Sequence, residues 1–561
     1  MKLRVTYAKG SYKGKIYRVP LVQYSYRDKN GTPRHKTVLS LSKLPDVLVK
    51  VIDETLKRGD MSVLEELVIK SKIKYQHSII IGPVFVALSV LLQLNIVELL
   101  KKSLTRACNI AILAFILERI IAEKPLSISA LQRQFDGSPS YYILGSPPVP
   151  HLNTWYKAFG ELAVVREQML IDLYARKPST DKVFLYDITS SYFEGDKCPL
   201  GKYGYDRDGK KGKKQVVLGI ICDSDGRPIW CDVFEGNTQD QTTVQQQLHN
   251  LKDKLGVKEF IFVGDRGMVT NARIEELGQD GWWDTFGYIT ALKRREIFHL
   301  IDDSRHPLQP ELFDHKNLVE IDYNGERYVL CHNPYRRDAD SQVRKRLLDK
   351  TAEKLQMIKR SVESGRLKSK DKIARRLYRW INKWNMERFF NVHYDEGRFD
   401  FELKASEVDR YQALDGCYVI RANVSQKSLT KEELQTQYKD LKHVEQAFRT
   451  MKTTDINVRP IRVWTEQHVR GYIFGCFLAY AATWEIRHRL APVLNRDETG
   501  KCEAGSVQEV FRNLGKITVG VLEITGKVYT GLSNVSNLNK QFLELLNLPP
   551  LSSVLKQLKC S

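Results

Sequence analysis

The spacing of apolar residues changes along the chain and predicts strand-rich and helix-rich regions in turn. Over roughly the first 70 residues, strand-like runs flank the turn signal DKNG at 28–31, which predicts a β-hairpin followed by a helix over about 45–58. From about 75 to 180, apolar residues recur at intervals of three and four, as in helices that pack on a core. This second region is therefore predicted to be helical.

From residue 182 the pattern changes to short runs rich in Val, Ile and Phe, which predict strands. The predicted strands are VFLYD (183–187), QVVLGIIC (215–222), PIWCDVF (228–234) and EFIFVGD (259–265). A helix is predicted over 242–256, before the fourth strand, and another follows that strand. Three antiparallel strands followed by a helix, a strand and further helices is the order of a ribonuclease-H-like α/β fold.

Between 296 and 411 this order is interrupted by strand-like pieces and a long charged helical stretch. The run CYVIRANV (417–424) then supplies a fifth apolar strand, so the intervening segment is predicted to be an insertion into the α/β core. The predicted regions are an N-terminal hairpin and helix (1–74), a helical and probable DNA-binding region (75–180), the first part of the core (181–295), the insertion (296–411), the second part of the core (412–495) and a helical tail suited to dimerisation (496–561).

The stretch YKDLKHVEQAFRTMK at 438–452 is predicted to be one amphipathic helix. Its apolar residues recur at steps of three, four and three: Leu441, Val444, Phe448 and Met451. Glu445, Arg449 and Lys452 form the neighbouring polar stripe, so Glu445 lies at the margin of the buried face. Taken alone, Glu445 is better explained by a surface ion pair with Arg449 at i,i+4.

Composition and charge narrow the class of partner. The chain has 561 residues, of which 42% are hydrophobic, and it is long enough for several domains. Its net charge of +21 favours a polyanionic partner, most simply nucleic acid, although charge alone does not separate DNA, RNA and a membrane surface. Nine scattered cysteines without a CxxC spacing argue against a zinc ribbon and suit a reducing, cytoplasmic setting.

Two further features bear on location. The N-terminal residues lack an apolar run, so no secretory signal is expected. The segment 79–100 is long and apolar, but Gly82 and Pro83 interrupt it and it carries polar residues, which predicts a buried helix beginning near Pro83 rather than a membrane span. We expect a cytoplasmic, nucleoid-associated protein with no membrane partner.

Two aspartates end predicted strands. Asp187 closes the first and Asp265 the fourth, and strand ends are where ligands bind in open α/β sheets. Taken singly, Asp187 can cap a turn and Asp265 can form a surface ion pair with Arg266. Together with Glu445, they form a set that suits two Mg²⁺ ions, which prefer oxygen ligands and can promote in-line phosphoryl displacement.

Four sequence segments resemble those of a family of bacterial insertion-sequence transposases. They are DITSSYF (187–193), YGYDRDGKKGKKQVVLGIICDSDGRPIWCDVFEGNTQDQTT (203–243), VGDRGM (263–268) and YKDLKHVEQAFRTMKT (438–453). Members of this family carry a DDE triad, an insertion between the second Asp and the Glu, and a signature of Tyr, Arg, Glu and Lys. The resemblance runs over most of the chain, from about residue 10 to 550.

By position, the resemblance implies that Asp187, Asp265 and Glu445 are the catalytic and metal-binding residues. It implies two Mg²⁺ ions, for which Mn²⁺ may substitute. Tyr438 and Lys452 match signature residues that contact phosphates of the transposon end. The signature arginine falls on Leu441, whose place in the apolar stripe favours packing, so Lys442 or Arg449 replaces that contact or it is missing.

Other candidates come from position along the chain. The cationic loop between the first two strands suits phosphate contact but equally suits a solvated hairpin tip; it holds Lys210, Lys211, Lys213 and Lys214. Arg266, next to the second aspartate, is a further candidate for DNA contact. Asn237 and Asp240 support the metal ligands or cap a helix, and we favour a cap. Trp282 and Trp283 stack on an extruded base or belong to the core.

The resemblance implies a DNA transposase that binds the terminal inverted repeats of its element, cleaves them with Mg²⁺ and joins the ends to target DNA. Pairing of two ends implies a homodimer on DNA. Two alternatives remain: a ribonuclease-H-like nuclease without strand transfer, and a catalytically inert DNA-binding protein derived from a transposase.

Overall fold

The computed structural model describes residues 3–552 apart from 13–14, 60–73, 196, 206, 208, 211, 280, 283–285, 309–317, 455, 495–503 and 525–526. It divides into two compact units. Unit 1 comprises Met1–Val90, Arg133–Val149 and Arg489–Ser561, and unit 2 comprises Leu91–Gln132 and Pro150–His488.

The strands are β1 (Leu3–Tyr12), β2 (Lys15–Arg27), β3 (Pro33–Ser40), β4 (Lys74–Ile80), β5 (Val183–Tyr192), β6 (Gln215–Asp223), β7 (Pro228–Glu235), β8 (Ile261–Gly264), β9 (Gly287–Ala291), β10 (Leu318–Tyr323), β11 (Glu326–His332), β12 (Phe390–Asp395), β13 (Arg398–Leu403), β14 (Cys417–Ala422), β15 (Thr518–Ile524) and β16 (Lys527–Leu532). The helices are α1 (Asp46–Arg58), α2 (Gly82–Gln93), α3 (Ile96–Ser103), α4 (Arg106–Ile121), α5 (Ile128–Gln134), α6 (Pro139–Ile143), α7 (Leu152–Arg176), α8 (Val244–His249), α9 (Asn271–Gln279), α10 (Arg294–Asp302), α11 (Pro334–Glu363), α12 (Lys370–Ile381), α13 (Ala405–Ala413), α14 (Lys431–Lys439), α15 (Leu441–Arg449), α16 (Glu466–Arg489), α17 (Ala491–Leu494), α18 (Val507–Leu514) and α19 (Asn537–Leu545).

In unit 1, the predicted hairpin and helix are present as β2, β3 and α1, and β1 adds a third strand. The turn forms because the Asp28 carboxylate accepts hydrogen bonds from the backbone N–H groups of Asn30 and Thr32, both at 3.0 Å. A second sheet in this unit has the order β16-β15-β4. The prediction of a purely helical tail was therefore wrong, because the β-branched run at 518–532 forms a hairpin that pairs with β4.

Unit 2 contains an eight-stranded mixed sheet with the order β10-β11-β14-β9-β8-β5-β6-β7. Strands β5, β8 and β9 run parallel, and the remaining pairs are antiparallel. Every residue of β6 is buried, as expected of a strand covered on both faces. Strands β10 and β11, which fall within the predicted insertion, pair onto β14 and so extend this sheet.

Strand β5 is longer than predicted. It continues to Tyr192, so Asp187 lies within the strand and not at its end. The sequence TSSY looks like a turn, but its backbone pairs with β6 as far as Gln215, and Ser190 and Ser191 are buried. Sheet pairing here overrides the local preference of these polar residues.

The predicted helix over 438–452 is broken at Asp440. Tyr438 lies in the last turn of α14, Glu445 lies in α15, and Lys452 lies in a π-helical turn at Thr450–Thr454. The apolar stripe is nevertheless buried as predicted, which fixes the face that α15 turns toward the core.

The region 334–411 has a hydrophobic cluster of its own, formed by α11, α12 and the β12–β13 hairpin. Helix α16 is apolar and is buried over most of its length. It approaches α7 so closely that a Cβ on Gly471 would lie 1.8 Å from the Phe159 carbonyl oxygen. Glycine is therefore required at this crossing.

The described cysteines are all free and all but Cys417 are buried, in agreement with their predicted role as small hydrophobes. Among the described residues, no single helix is long and apolar enough to cross a membrane. One bent pair of helices, α2 and α3, passes the same test by length and composition alone.

Candidate active site

The parallel pairing of β5 and β8 brings two aspartates to the same level of the sheet. Tyr186 pairs with Gly264, so Asp187 and Asp265 are the next residues on neighbouring strands. Asp187 accepts a hydrogen bond from the Ile188 N–H at 2.7 Å, and Asp265 accepts one from the Arg266 N–H at 2.7 Å. Residues 78 positions apart in the chain are thus placed side by side by strand register.

Glu445 joins the two aspartates at one cavity. It is exposed on the polar side of α15, whose apolar side packs on the sheet. A cavity of about 440 Å³ is lined by Asp187, Asp265 and Glu445 together. These three residues, from distant parts of the chain, thus lie at one cavity, while their role as metal ligands stays a prediction.

The electrostatics of Asp187 are unusual. The pKa of its carboxyl is raised from 3.8 to about 7, mainly by burial and to a smaller extent by the nearby Asp265 and Asp240. The hydrogen bond from Ile188 and the positive charge of Arg207 oppose this shift without cancelling it. Ionised Asp187 is therefore poorly stabilised by its surroundings in this structure, and a bound cation would stabilise it.

Asp240 and Arg207 form a pair beside the site that the sequence did not predict. An Arg207 Nη donates to Asp240 Oδ1, and the Arg207 backbone N–H donates to Ser190 Oγ at 3.3 Å. The expectation that Asp240 caps a helix was wrong, because its side chain binds this guanidinium instead; Asn237 is exposed. Both partners influence Asp187, so this pair adjusts the charge at the site.

Tyr438 contacts the second aspartate. Its hydroxyl donates to Asp265 Oδ1 at 3.3 Å, and its ring stacks on Tyr418 with centroids 6.2 Å apart. Burial raises the pKa of Tyr438, so the phenol stays protonated and remains a donor. Arg266 and Lys442 also line the cavity, and Lys442 Nζ lies 3.3 Å from Asp440 Oδ1.

Lys452, which was predicted to contact a DNA phosphate, lies in the interior of the protein. It is buried, and its Nζ donates to Thr189 Oγ1 at 2.6 Å, two residues after Asp187 on β5. Leu441 is buried on the apolar stripe, as its packing role requires. Arg449 is exposed and is not among the residues that line the cavity.

The predicted lysine loop lies elsewhere. Lys210, Lys213 and Lys214 are not among the residues that line the cavity, and Lys213 Nζ pairs with Glu194 at 2.9 Å. Lys211 falls outside the described residues. The same loop influences the site through Arg207, whose positive charge lowers the pKa of Asp187.

Trp282 belongs to the core. It is 8% exposed and packs against His249 and Phe286, with ring centroids 4.8 Å and 5.5 Å away. Of the two interpretations of this tryptophan, the structure therefore supports burial over base stacking. Trp283 falls outside the described residues.

Two arginines line the same cavity as the carboxylates and were not predicted. Arg294 begins α10 and Arg336 lies in the first turn of α11. Each places a guanidinium nitrogen 3.9 Å from an oxygen of Asp340, which also lines the cavity. The sequence gives only a weak signal for these two arginines, because they are two of many cations in a basic stretch.

No group of three or more His, Cys, Asp or Glu side chains is arranged to hold one metal ion in the part of the chain that the structure describes. The carboxylates are therefore not gathered around one point. Asp187, Asp265 and Glu445 offer only oxygen donors, which is the ligand type that Mg²⁺ and Mn²⁺ prefer.

Comparison with known proteins gives distant structural neighbours. A synaptic complex of piggyBac transposase with hairpin DNA matches at 10% identity and a TM-score of 0.35, covering 86% of this chain and 82% of that one. A Mos1 mariner paired end complex with Mn matches at 22% identity and a TM-score of 0.14, covering 22% of this chain and 41% of that one. No curated protein matches the chain.

Both TM-scores are low, so the assignment depends on the family model. The model of the transposase DDE domain matches residues 178–482, which is more than half of the chain and includes Asp187, Asp265 and Glu445. The protein therefore belongs to the transposase DDE domain family.

Proposed function

We propose that this transposase cleaves the ends of its own mobile element and joins them to target DNA, using Asp187, Asp265 and Glu445 with two divalent cations. The observation that carries this proposal is the single cavity lined by all three carboxylates. The eight-stranded mixed sheet, with an antiparallel β5–β6–β7 meander and parallel β8 and β9, supports a ribonuclease-H-like core.

Each residue of the proposed site has its own role in the reaction. Asp187, Asp265 and Glu445 would hold the two ions, with Asp187 shared between them. When bound, the ions activate the attacking oxygen and stabilise the leaving oxygen of an in-line displacement. Tyr438 orients Asp265 through its hydroxyl.

Cations around the cavity suit a DNA phosphate. Arg294 and Arg336 line it with Arg266 and Lys442, so positive groups flank the acidic ones. Guanidinium groups bind phosphate in a bidentate manner. These residues orient the scissile strand against the carboxylates, and Arg294 and Arg336 take the place left by Leu441 in the family signature.

The partners follow from the reaction. We propose that the substrate is double-stranded DNA, comprising the terminal inverted repeats and the target, and that two copies of the chain pair the two ends. The net charge of +21 supports a polyanionic partner. A cytoplasmic, nucleoid-associated location belongs to the same proposal.

The test replaces each carboxylate by its neutral isostere. Asp187→Asn, Asp265→Asn and Glu445→Gln are each expected to abolish Mg²⁺-dependent cleavage of DNA carrying the element's ends, while binding of those ends is kept. A loss of about 10³-fold or more is expected, because the lost group holds the charge that stabilises the transition state.

Matched controls are available close by. Asp225→Asn changes an exposed turn aspartate, and Glu432→Gln changes an exposed glutamate on the helix before α15. Both are expected to cleave as the parent does. Normal cleavage by any of the three cavity variants would remove that residue from the proposed site.

A second assay separates the transposase from a nuclease of the same fold. Ends that are already nicked at the cleavage site are incubated with target DNA and Mg²⁺. A transposase joins their 3′-OH groups to the target, whereas a nuclease leaves them unjoined. Binding without cleavage or joining would indicate an inert, transposase-derived DNA-binding protein.

A further inference from the structure

A second cavity in unit 2 is lined by basic residues. Its volume is about 470 Å³, and it shares no lining residue with the cavity of the three carboxylates. Four cations line it: Arg119, Lys124, Arg459 and Arg462. We call it the basic cleft; no Asp or Glu is among its lining residues in the described part of the chain.

Arg119 builds the cleft. It is 5% exposed, and its Nη1 donates to the carbonyl oxygens of Ile456 and Asn457, both at 3.1 Å. Its Nη2 donates to the Tyr472 hydroxyl at 3.2 Å. This buried guanidinium ties α4 to the segment 456–463, which carries the other two arginines.

Two of the remaining cations, Lys124 and Arg462, are exposed, and Arg459 is half-buried. Glu118 on α4 lies near the cleft, where its Oε1 accepts the N–H of the lining residue Leu126 at 3.3 Å. Ser127 and Ser129 add hydroxyl groups to the lining. Several cations with hydroxyl donors form a set that binds phosphate groups.

The cleft is tied to the strand that carries Asp187. Phe193, just after β5, pairs with Ile461, and the Glu194 N–H donates to the Ile461 carbonyl at 2.9 Å. Asp187 and Phe193 are six residues apart, or about 20 Å along an extended strand. This distance corresponds to about six base pairs of duplex DNA, at about 3.4 Å per step on each strand.

We propose that the basic cleft binds the phosphate backbone of duplex DNA about half a helical turn from the bond that is cut. The cations come from two separate segments of the chain, 119–124 and 459–462, and so form an extended basic surface that suits a continuous polyanion. Arg119 and Lys124 lie outside the matched family domain, and Arg459 and Arg462 lie inside it. The distance to the cut site rests on the proposed function, whereas the binding of DNA backbone does not.

The test measures DNA binding without divalent cations, so that it does not depend on cleavage. The variants are Lys124→Ala, Arg462→Ala and the double variant, with duplex DNA of the element's end and a duplex of unrelated sequence as probes. The logarithm of affinity falls with the logarithm of salt concentration, and each lost phosphate contact is expected to make this slope shallower by about 0.9. Both probes are expected to weaken alike, because backbone contacts carry no sequence information.

The control is Arg106→Ala, which removes an exposed arginine at the opposite end of α4. It is expected to bind with the parental slope. All variants are compared by thermal unfolding, since these exposed side chains should leave the fold unchanged. Parental slopes in the double variant would overturn the proposal.

Two further arms identify the ligand and the position. Binding of inorganic phosphate or ATP by the parent but not by the double variant, with parental salt slopes for DNA in both, would show a small-anion site and overturn the DNA assignment. Ethylation interference should place the lost contact about six base pairs from the cut site. If Asp187→Asn still cleaves while the slopes fall as expected, the proposed catalytic site fails and the cleft stands.

Discussion

Asp187 is expected to destabilise the protein while it has no cation beside it. Its pKa in the folded protein is raised to about 7 from an ordinary value of 3.8. Since one pKa unit corresponds to about 1.4 kcal/mol, ionising this carboxyl costs the folded state up to about 4 kcal/mol above pH 7. Asp187→Asn removes the charge but can keep the hydrogen bond from the Ile188 N–H.

The sign of the pH dependence follows from the direction of the shift. The folded protein binds a proton at Asp187 between about pH 4 and 7, where the unfolded chain does not, so stability falls as the pH rises through this window. In EDTA, Asp187→Asn should be more stable than the parent at about pH 8 and nearly equal to it at about pH 4. Unfolding midpoints across this range give the measurement.

Two controls sharpen this test. Asp225→Asn removes an exposed carboxylate and should show no such pH dependence. Saturating Mg²⁺ should stabilise the parent more than Asp187→Asn, because a ligand stabilises in proportion to its affinity for the folded state. The reasoning is refuted if Asp187→Asn is no more stable than the parent at about pH 8, or if the difference persists unchanged at about pH 4.

Two structural predictions concern the packing of unit 2. Gly471→Ala should destabilise it by about 3 kcal/mol or more, because the new Cβ would meet the Phe159 carbonyl oxygen, whereas Gly475→Ala meets only a ring edge and should cost less; chemical denaturation compares the two. Arg344→Leu should cost about 3–5 kcal/mol, because it removes the buried partner of Asp415, and an equal stability of variant and parent would show that this pair contributes nothing.

Local patterns predicted most elements around the site. The buried runs of β6 and β7 and the apolar stripe of α15 have the spacing of the structures they form, and core packing agrees with that spacing. Strand β5 differs, because the polar run after Asp187 has a turn-like composition and is held in the sheet by β6. That pairing joins residues some 30 positions apart, as in Asp187 with Ile220, and composition does not reveal it.

The three carboxylates could be proposed as a set because the resemblance to transposases adds to their positions near apolar strands and on an amphipathic helix, although Asp187 lies within its strand. The surrounding cations were not. Arg207 reaches the site through Asp240, and Arg294 and Arg336 meet at Asp340, in contacts between segments far apart in the chain. Nothing in a basic sequence distinguishes these cations from the solvated ones, so their roles emerge only from tertiary structure.

The break at Asp440 gives the position of Glu445 a physical basis. A single straight helix would be positioned by its apolar stripe alone. Helix α15 is in addition contacted near its start by the β6–β7 turn and beyond its end by β5, the strand that carries Asp187. At its start, the β6–β7 turn packs so tightly on His443 that a Cβ on Gly226 would lie 2.7 Å from the His443 Cβ.

Beyond its end, Lys452 donates to Thr189, two residues from Asp187. The strand that carries the first aspartate therefore also fixes the segment that follows the glutamate. We propose that Lys452 helps to position Glu445 relative to Asp187 through this contact, while its predicted contact with a DNA phosphate stays a prediction.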